Sequence, residues 1–137
     1  MTLVLDSSVT LAWLYADELT APVQQVLDRI VMEQACAPSI WRLEVANSLQ
    51  MAVRRRRIDA TFRDAALAGL ASLDIITDSD TDIFAWSTTL RLADRFSLTL
   101  YDAAYLELAQ RKNLPLATLD RDLRSVGAAL GILLLGA

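Results

Sequence analysis

Histidine is absent from the 137 residues, and cysteine and lysine occur once each, as Cys36 and Lys112. Without histidine there is no Ser-His-Asp or Cys-His triad, no acid–base catalysis by imidazole and no histidine zinc site. A lone cysteine excludes a disulfide framework and any multi-cysteine metal or cluster site. One lysine leaves Schiff-base and P-loop schemes poorly served. Glycine and proline are also sparse, at four and three residues. No flexible linker, low-complexity run or internal repeat is visible. Chemistry therefore falls to carboxylates, hydroxyls and arginines. The apolar N-terminus, Met1 to Ala16, has no basic flank and contains Asp6, so it does not read as a signal peptide. The uncharged stretch Val126 to Ala137 is too short to cross a bilayer as a helix. With an unpaired cysteine and no export signal, a cytoplasmic protein without a membrane partner is expected.

Apolar residues make up 54% of the chain, above the roughly 45–50% of ordinary soluble domains. That excludes disorder and leaves apolar surface for a partner. The charge is 13 basic against 17 acidic residues, net −4. This length predicts a single domain spanning residues 1–137, able to bury a sizeable core without disulfides.

Short apolar runs alternate with helical patterns. Strands are expected at Leu3–Leu5, Ala35–Ala37 (closed by Pro38), Leu73–Ile76, Leu114–Thr118 and Ile132–Leu135. Between them, helices are expected over Val9–Tyr15, Ala21–Gln34 with Thr20 as cap, and Ser39–Arg57 with Ser39 as cap. Others follow over Asp59 or Thr61 to Ser72, Thr81–Phe96, Thr99–Lys112 and Asp120–Val126. Continuously apolar strands separated by helices predict an α/β fold with a mostly parallel central sheet flanked by helices. The strand-free stretch from Ser39 to Ser72 predicts an added helical hairpin.

Ligands of an open parallel sheet bind beyond the carboxyl ends of its strands. Asp6 ends the first strand, Asp120 lies two residues beyond Thr118, and Asp102 opens the helix before that strand. Glu44 borders an inward stripe formed by Trp41, Val45, Ser48 and Leu49. Each acid also has an ordinary use: Asp6 and Asp120 as helix caps, Asp102 as the return partner of Thr99, Glu44 as a solvated helix residue. Three of the four, however, map to one sheet edge, where clustered carboxylates repel one another, and a cation offsets that cost. All-oxygen ligands favour Mg²⁺ or Mn²⁺, ions that serve phosphoryl chemistry.

Four blocks carry a family resemblance along essentially the whole chain: Leu5-Asp6-Ser7-Ser8, the segment from Pro38 to Leu49 around Glu44, Leu100-Tyr101-Asp102-Ala103-Ala104-Tyr105-Leu106, and Ala117-Thr118-Leu119-Asp120. In this order they resemble PIN-domain ribonucleases of the VapC type, the toxins of bacterial toxin–antitoxin pairs. Ser8 stands where many members have Asn. The resemblance implies the three-layer PIN fold, Mg²⁺-dependent endonucleolytic cleavage of RNA, a VapB-like antitoxin and a homodimer. It implies Asp6 and Asp102 as principal metal ligands, with Glu44 and Asp120 completing the acidic site directly or through water. Ser7, Ser8 and Thr118 would orient ligands or the scissile phosphate. Asp122 neighbours Asp120, but the spacing from Thr118 selects Asp120.

Two other readings use the same fold: a catalytically inactive interaction module, and a DNA-directed nuclease. An acidic protein is also a poor generic RNA binder. The run Arg54-Arg55-Arg56-Arg57 offers local positive charge, or else simply complements a helix C-terminus. The helix is expected to run to about Arg57, so Arg54 and Arg57 share a side and are the candidate RNA contacts.

Overall fold

The computed structural model describes residues Met1 to Ala137. Leu3, Val4 and Leu5 are fully buried, so the first apolar run lies inside the molecule, covered on both faces. It forms β1 (Val4–Leu5) at the middle of a five-stranded sheet with β2 (Ala35–Pro38), β3 (Ile75–Asp78), β4 (Leu116–Ala117) and β5 (Leu134–Leu135). The order is β3-β2-β1-β4-β5, and every pair is parallel. The chain builds outward from β1 through β2 to β3, then crosses back to add β4 and β5 on the other side. The strand order thus reverses between β1 and β4. In register, Val4 faces Leu116 and Leu5 faces Ala117.

Eight helices complete the three layers: α1 (Ser7–Ala12), α2 (Ala21–Met32), α3 (Trp41–Arg54), α4 (Ala60–Ala71), α5 (Thr81–Phe84), α6 (Thr88–Phe96), α7 (Leu100–Lys112) and α8 (Arg121–Ala129). Helix α7 is buried from Ala103 to Ala109 and touches β1, β2 and β4. Helices α3 and α4 form the expected hairpin. The inward stripe of α3 is buried at Trp41, Val45 and Leu49, and the Trp41 indole donates to Thr10 Oγ1 at 3.0 Å. Four side-chain caps fall where the polar residues predict them: Thr20, Asp59, Thr99 and Asp120 accept from Val23, Phe62, Asp102 and Leu123 backbone N–H groups. No helix is long and apolar enough to cross a membrane.

Several boundaries differ from the sequence pattern. Ser39 does not cap α3; its backbone N–H donates to Thr81 Oγ1 at 3.0 Å, and the cap position passes to Ile40. The third strand lies two residues later than its apolar run, because Ser72 and Leu73 still bond back to Gly69 and Leu70 at the end of α4. Thr77 and Asp78, too polar to read as strand, pair with Ala37 and Pro38. The segment Thr81–Phe96 is two helices, broken where Ser87 leaves helical geometry at φ −122°, ψ −99°. Finally, α3 stops at Arg54, so Arg57 lies beyond the helix and its side is not set by helical spacing.

Candidate active site

The reversal between β1 and β4 leaves a crevice beyond their carboxyl ends, where residues just past the strands converge. Asp6 follows β1 and occupies the cap position of α1, yet its side chain makes no cap bond. The carboxylate turns across the crevice instead. Its Oδ2 accepts from Ser8 Oγ at 2.6 Å and from Thr118 Oγ1 at 2.7 Å. Both hydroxyls are themselves held: Ser8 Oγ accepts from the Leu119 N–H at 2.9 Å, and Thr118 Oγ1 from the Asp120 N–H at 3.1 Å. The backbone around β4 thus fixes the donors that fix Asp6. Both side-chain donors meet on Oδ2; neither reaches Oδ1. Asp6 is 4% exposed, and this burial pushes its pKa up. The Ser8 and Thr118 hydroxyls and the Ser7 backbone oppose the rise, while the Asp120 charge adds to it.

Glu44 sits in the first turn of α3. Its Oε1 accepts from the Tyr105 hydroxyl at 2.5 Å. Partial burial raises its pKa against the Tyr105 bond, and the charges of Asp6 and Asp102 raise it further. Asp102 sits in the first turn of α7, where its own N–H fills the Thr99 cap. Its carboxyl is raised first by desolvation, then by the charges of Asp120 and Asp6. Asp120 does cap α8, with Oδ1 accepting from the Leu123 N–H at 2.9 Å. That ordinary role does not remove its charge from the crevice. Asp122 is exposed and a lesser influence on Asp102. The four sequence-selected acids therefore lie close enough to feel one another, with no arginine or lysine paired to any of them.

Repelling carboxylates with raised pKa values are the donor set a hard divalent cation relieves. The Oδ1 of Asp6 and the Oε2 of Glu44 carry no side-chain hydrogen bond that an ion would have to displace. No three acidic side chains are gathered closely enough to hold one ion between them. The arrangement therefore suits one or two direct carboxylate ligands, with the other acids reaching an ion through water.

Sequence reading missed three residues that shape this region. Tyr105, fully buried, orients Glu44 and lies one helical turn past Asp102. That i, i+3 spacing on an otherwise apolar face was the available signal. Arg124 Nη1 donates to the carbonyls of Thr118 at 2.7 Å and Leu135 at 3.1 Å, tying the ends of β4 and β5 together. Arg111 clamps Asp78 and Glu107, with its closest contact to each at 2.6 Å. Of the arginine run, Arg54 is exposed and Arg57 stands 3.7 Å from both Asp17 and Glu18; neither enters the acidic cluster.

Solved structures reproduce this architecture. PAE2754 from Pyrobaculum aerophilum aligns with a TM-score of 0.68 at 25% identity, over 91% of this chain and 85% of that one. VapBC2 from Rickettsia felis, bound to a DNA fragment from its promoter, aligns at 0.65 and 14% identity over 98% and 97%. Mycobacterium tuberculosis VapC20, described as a Sarcin-Ricin loop cleaving toxin, aligns at 0.63 and 18% identity over 92% and 95%. No curated protein matches significantly in sequence. With a parallel sheet in the order β3-β2-β1-β4-β5, acids around its switch point and a match to the PIN domain model over residues 3–129, the chain belongs to the PIN-domain family.

Proposed function

We propose that this PIN domain, with residues 1–137 acting as one unit, is a metal-dependent endoribonuclease and the toxin of a VapBC-like pair. The observation that carries the reading is Asp6: a buried acid in a cap position that declines to cap, is held by two hydroxyls, and is left without a cation. A purely structural carboxylate would be paired or would satisfy the helix end. Asp6 and Asp102 would hold Mg²⁺, or Mn²⁺ in its place, with Glu44 and Asp120 completing the site through water. When bound, such an ion activates water and offsets charge on the phosphodiester. The chain's own contribution is orientation. Ser8 and Thr118 aim Asp6, Tyr105 holds one Glu44 oxygen and leaves the other open to water, and the α8 cap holds Asp120. Ser7, Ser8 and Thr118 are the hydroxyls available to the phosphate.

Asp102→Asn tests this directly. It preserves shape and the Thr99 cap, which uses the backbone N–H of residue 102, while removing one charge. RNA cleavage in Mg²⁺ should fall at least a hundredfold with the fold retained; cleavage at the wild-type rate overturns the site.

Two partners belong to the same reading. A VapB-like antitoxin is supported by the likeness to VapBC2 and to a structure described as a toxin–antitoxin complex from Klebsiella pneumoniae. A homodimer is supported by the break between α5 and α6, which leaves Trp86 91% exposed, with Ile83 and Tyr101 exposed as well. Nearby, Thr89 Oγ1 is the buried side-chain oxygen without a hydrogen-bond partner. Sedimentation should show a dimer that Trp86→Ser weakens; a wild-type monomer at micromolar concentration removes it.

A further inference from the structure

Helix α3 ends in an unusual way. The Arg57 N–H bonds to the Ala52 carbonyl at 2.9 Å and the Arg56 N–H to that of Val53 at 3.0 Å. This is a Schellman closure, whose left-handed position normally takes glycine. Here Arg56 occupies it at φ 59°, so a side chain is kept where backbone preference would delete it.

Arg57 lies over Tyr15, its guanidinium carbon 3.9 Å from the ring centroid, with Asp17 and Glu18 each 3.7 Å away. Tyr15 in turn lies near-parallel to Phe62, at 14° and 6.3 Å between centroids. Two cavities meet at Tyr15. One, of about 590 Å³, begins at Ser8 and Leu119 beside the acidic crevice and reaches Arg55 and Arg57. The other, of about 990 Å³, is lined by Tyr15, Phe62, Arg56 and Arg57. The acids of this region are engaged: Asp17 and Glu18 face Arg57, and Asp59 caps α4 through the Phe62 N–H at 2.7 Å. Arg55 and Arg56 have no acidic partner. Three arginines and three acids line this cleft, so its charge is balanced in a chain of net charge −4, and Arg55 and Arg56 are the cations that no acid engages.

We propose that the cleft between the Tyr15 turn and the Arg55–Arg57 turn binds an unpaired nucleotide of single-stranded RNA next to the cleaved bond. The base stacks on the surface made by Tyr15, Phe62 and the flat Arg57 guanidinium, and Arg55 and Arg56 meet its flanking phosphates. Aromatic rings and guanidinium planes accept any base face, but only from a base outside a duplex. The inference rests on the ribonuclease reading and adds where the strand lies and why it must be single.

Binding of a short labelled oligouridine tests it by fluorescence anisotropy in Mg²⁺, in an Asp102→Asn background that prevents cutting. Tyr15→Ala should weaken binding about 5- to 100-fold, and Tyr15→Phe should restore it. Arg56→Gly should lower the log–log salt slope by about 0.7, the amount for one phosphate contact on a single strand. Its melting temperature should hold or rise, because glycine suits the left-handed position. A blunt RNA duplex should bind more weakly and ignore Tyr15→Ala. If wild-type protein cuts RNA in Mg²⁺ but Tyr15→Ala and Arg56→Gly bind oligouridine like their parent, the cleft assignment is overturned and the nuclease reading stands. Loss of antitoxin binding in Tyr15→Ala with RNA affinity unchanged assigns the cleft to the protein partner and also overturns it. If wild-type protein neither binds nor cuts RNA, both fall.

Discussion

Two strand ends of this sheet bury a carboxylate, and the chain treats them in opposite ways. Asp78, at the end of β3, receives both arms of Arg111, with Nη1 and Nη2 donating at 3.2 and 2.6 Å, plus the Thr81 hydroxyl at 3.0 Å. Asp6, after β1, receives hydroxyls and no cation. The pKa values part accordingly. Burial raises Asp78, but the Arg111 and Thr81 bonds outweigh it and the net shift is downward; Asp6 is raised. One helix feeds both sites, since α7 supplies Asp102 and Tyr105 to the first and Glu107 and Arg111 to the second. An acid that the protein neutralises itself is part of the scaffold. One that it builds in and leaves unneutralised is, on the proposed reading, a ligand for a cation from outside.

The largest effect should come from breaking the neutralised site. Arg111→Ala would strand Asp78 and Glu107, whose side chains are 6% and 3% exposed. Removing one partner of a buried ion pair typically costs about 3–5 kcal/mol, and urea unfolding measures it. Replacing the whole group, with Arg111→Met, Asp78→Leu and Glu107→Leu together, should recover most of that loss, because no charge is then left unpaired. The matching change in the open site goes the other way. Asp6→Asn removes a buried, repelled charge and should stabilise the protein in chelator while weakening Mn²⁺ binding. A loss below about 1 kcal/mol in Arg111→Ala would mean that the two sites do not differ as described.

A smaller effect sharpens the contrast through pH. Asp6, Glu44 and Asp102 have ordinary values of 3.8, 4.5 and 3.8 and are raised in the folded protein. Between those values and the raised ones, the folded state binds more protons than the unfolded state, so stability falls as pH rises through that window. Asp78 is lowered, and the stability it contributes is lost only as pH falls below its ordinary 3.8. In chelator, the protein should therefore melt higher near about pH 5 than at pH 7, by a few degrees for each kcal/mol of difference. Saturating Mn²⁺ should cancel the trend by binding the charged form. A melting temperature that rises from pH 5 to 7 in chelator would count against raised values for these buried acids.

Much of the acidic site was legible in sequence because its parts sit on the strongest local signals. Leu3–Leu5 is an unmistakable buried run, so the residue after it had to lie at a strand end. The Leu114–Thr118 run placed Thr118 and Asp120 at a strand end the same way, and the resemblance of Ala-Thr-x-Asp to the PIN family singled them out. Tyr105 was hidden because a buried tyrosine on an apolar face looks like core until its hydroxyl finds Glu44, 61 positions away in the chain. Arg111 was hidden because its partners lie on two elements, and Asp78 lies in a strand that polar residues disguise. The arginine run misled for a local reason. Helical spacing predicts that Arg54 and Arg57 share a side, but the left-handed residue at Arg56 ends the helix between them.

The smallest expected change separates two roles of one residue. Asp120 caps α8 and also adds charge to the acidic crevice. Asparagine caps a helix about as well as aspartate does, whereas alanine at a cap costs about 1 kcal/mol. Asp120→Asn should therefore leave the melting temperature within about a degree of wild type, and Asp120→Ala should lower it by a few degrees. If the charge of Asp120 serves the site, both variants lose RNA cleavage, by tenfold or more, although only one of them loses stability. The pH trend in chelator should also flatten in Asp120→Asn, because the repulsion felt by Asp6 and Asp102 is reduced. Cleavage by Asp120→Asn at the wild-type rate would assign the residue to the helix alone and leave Asp6, Glu44 and Asp102 as the acids that await the ion.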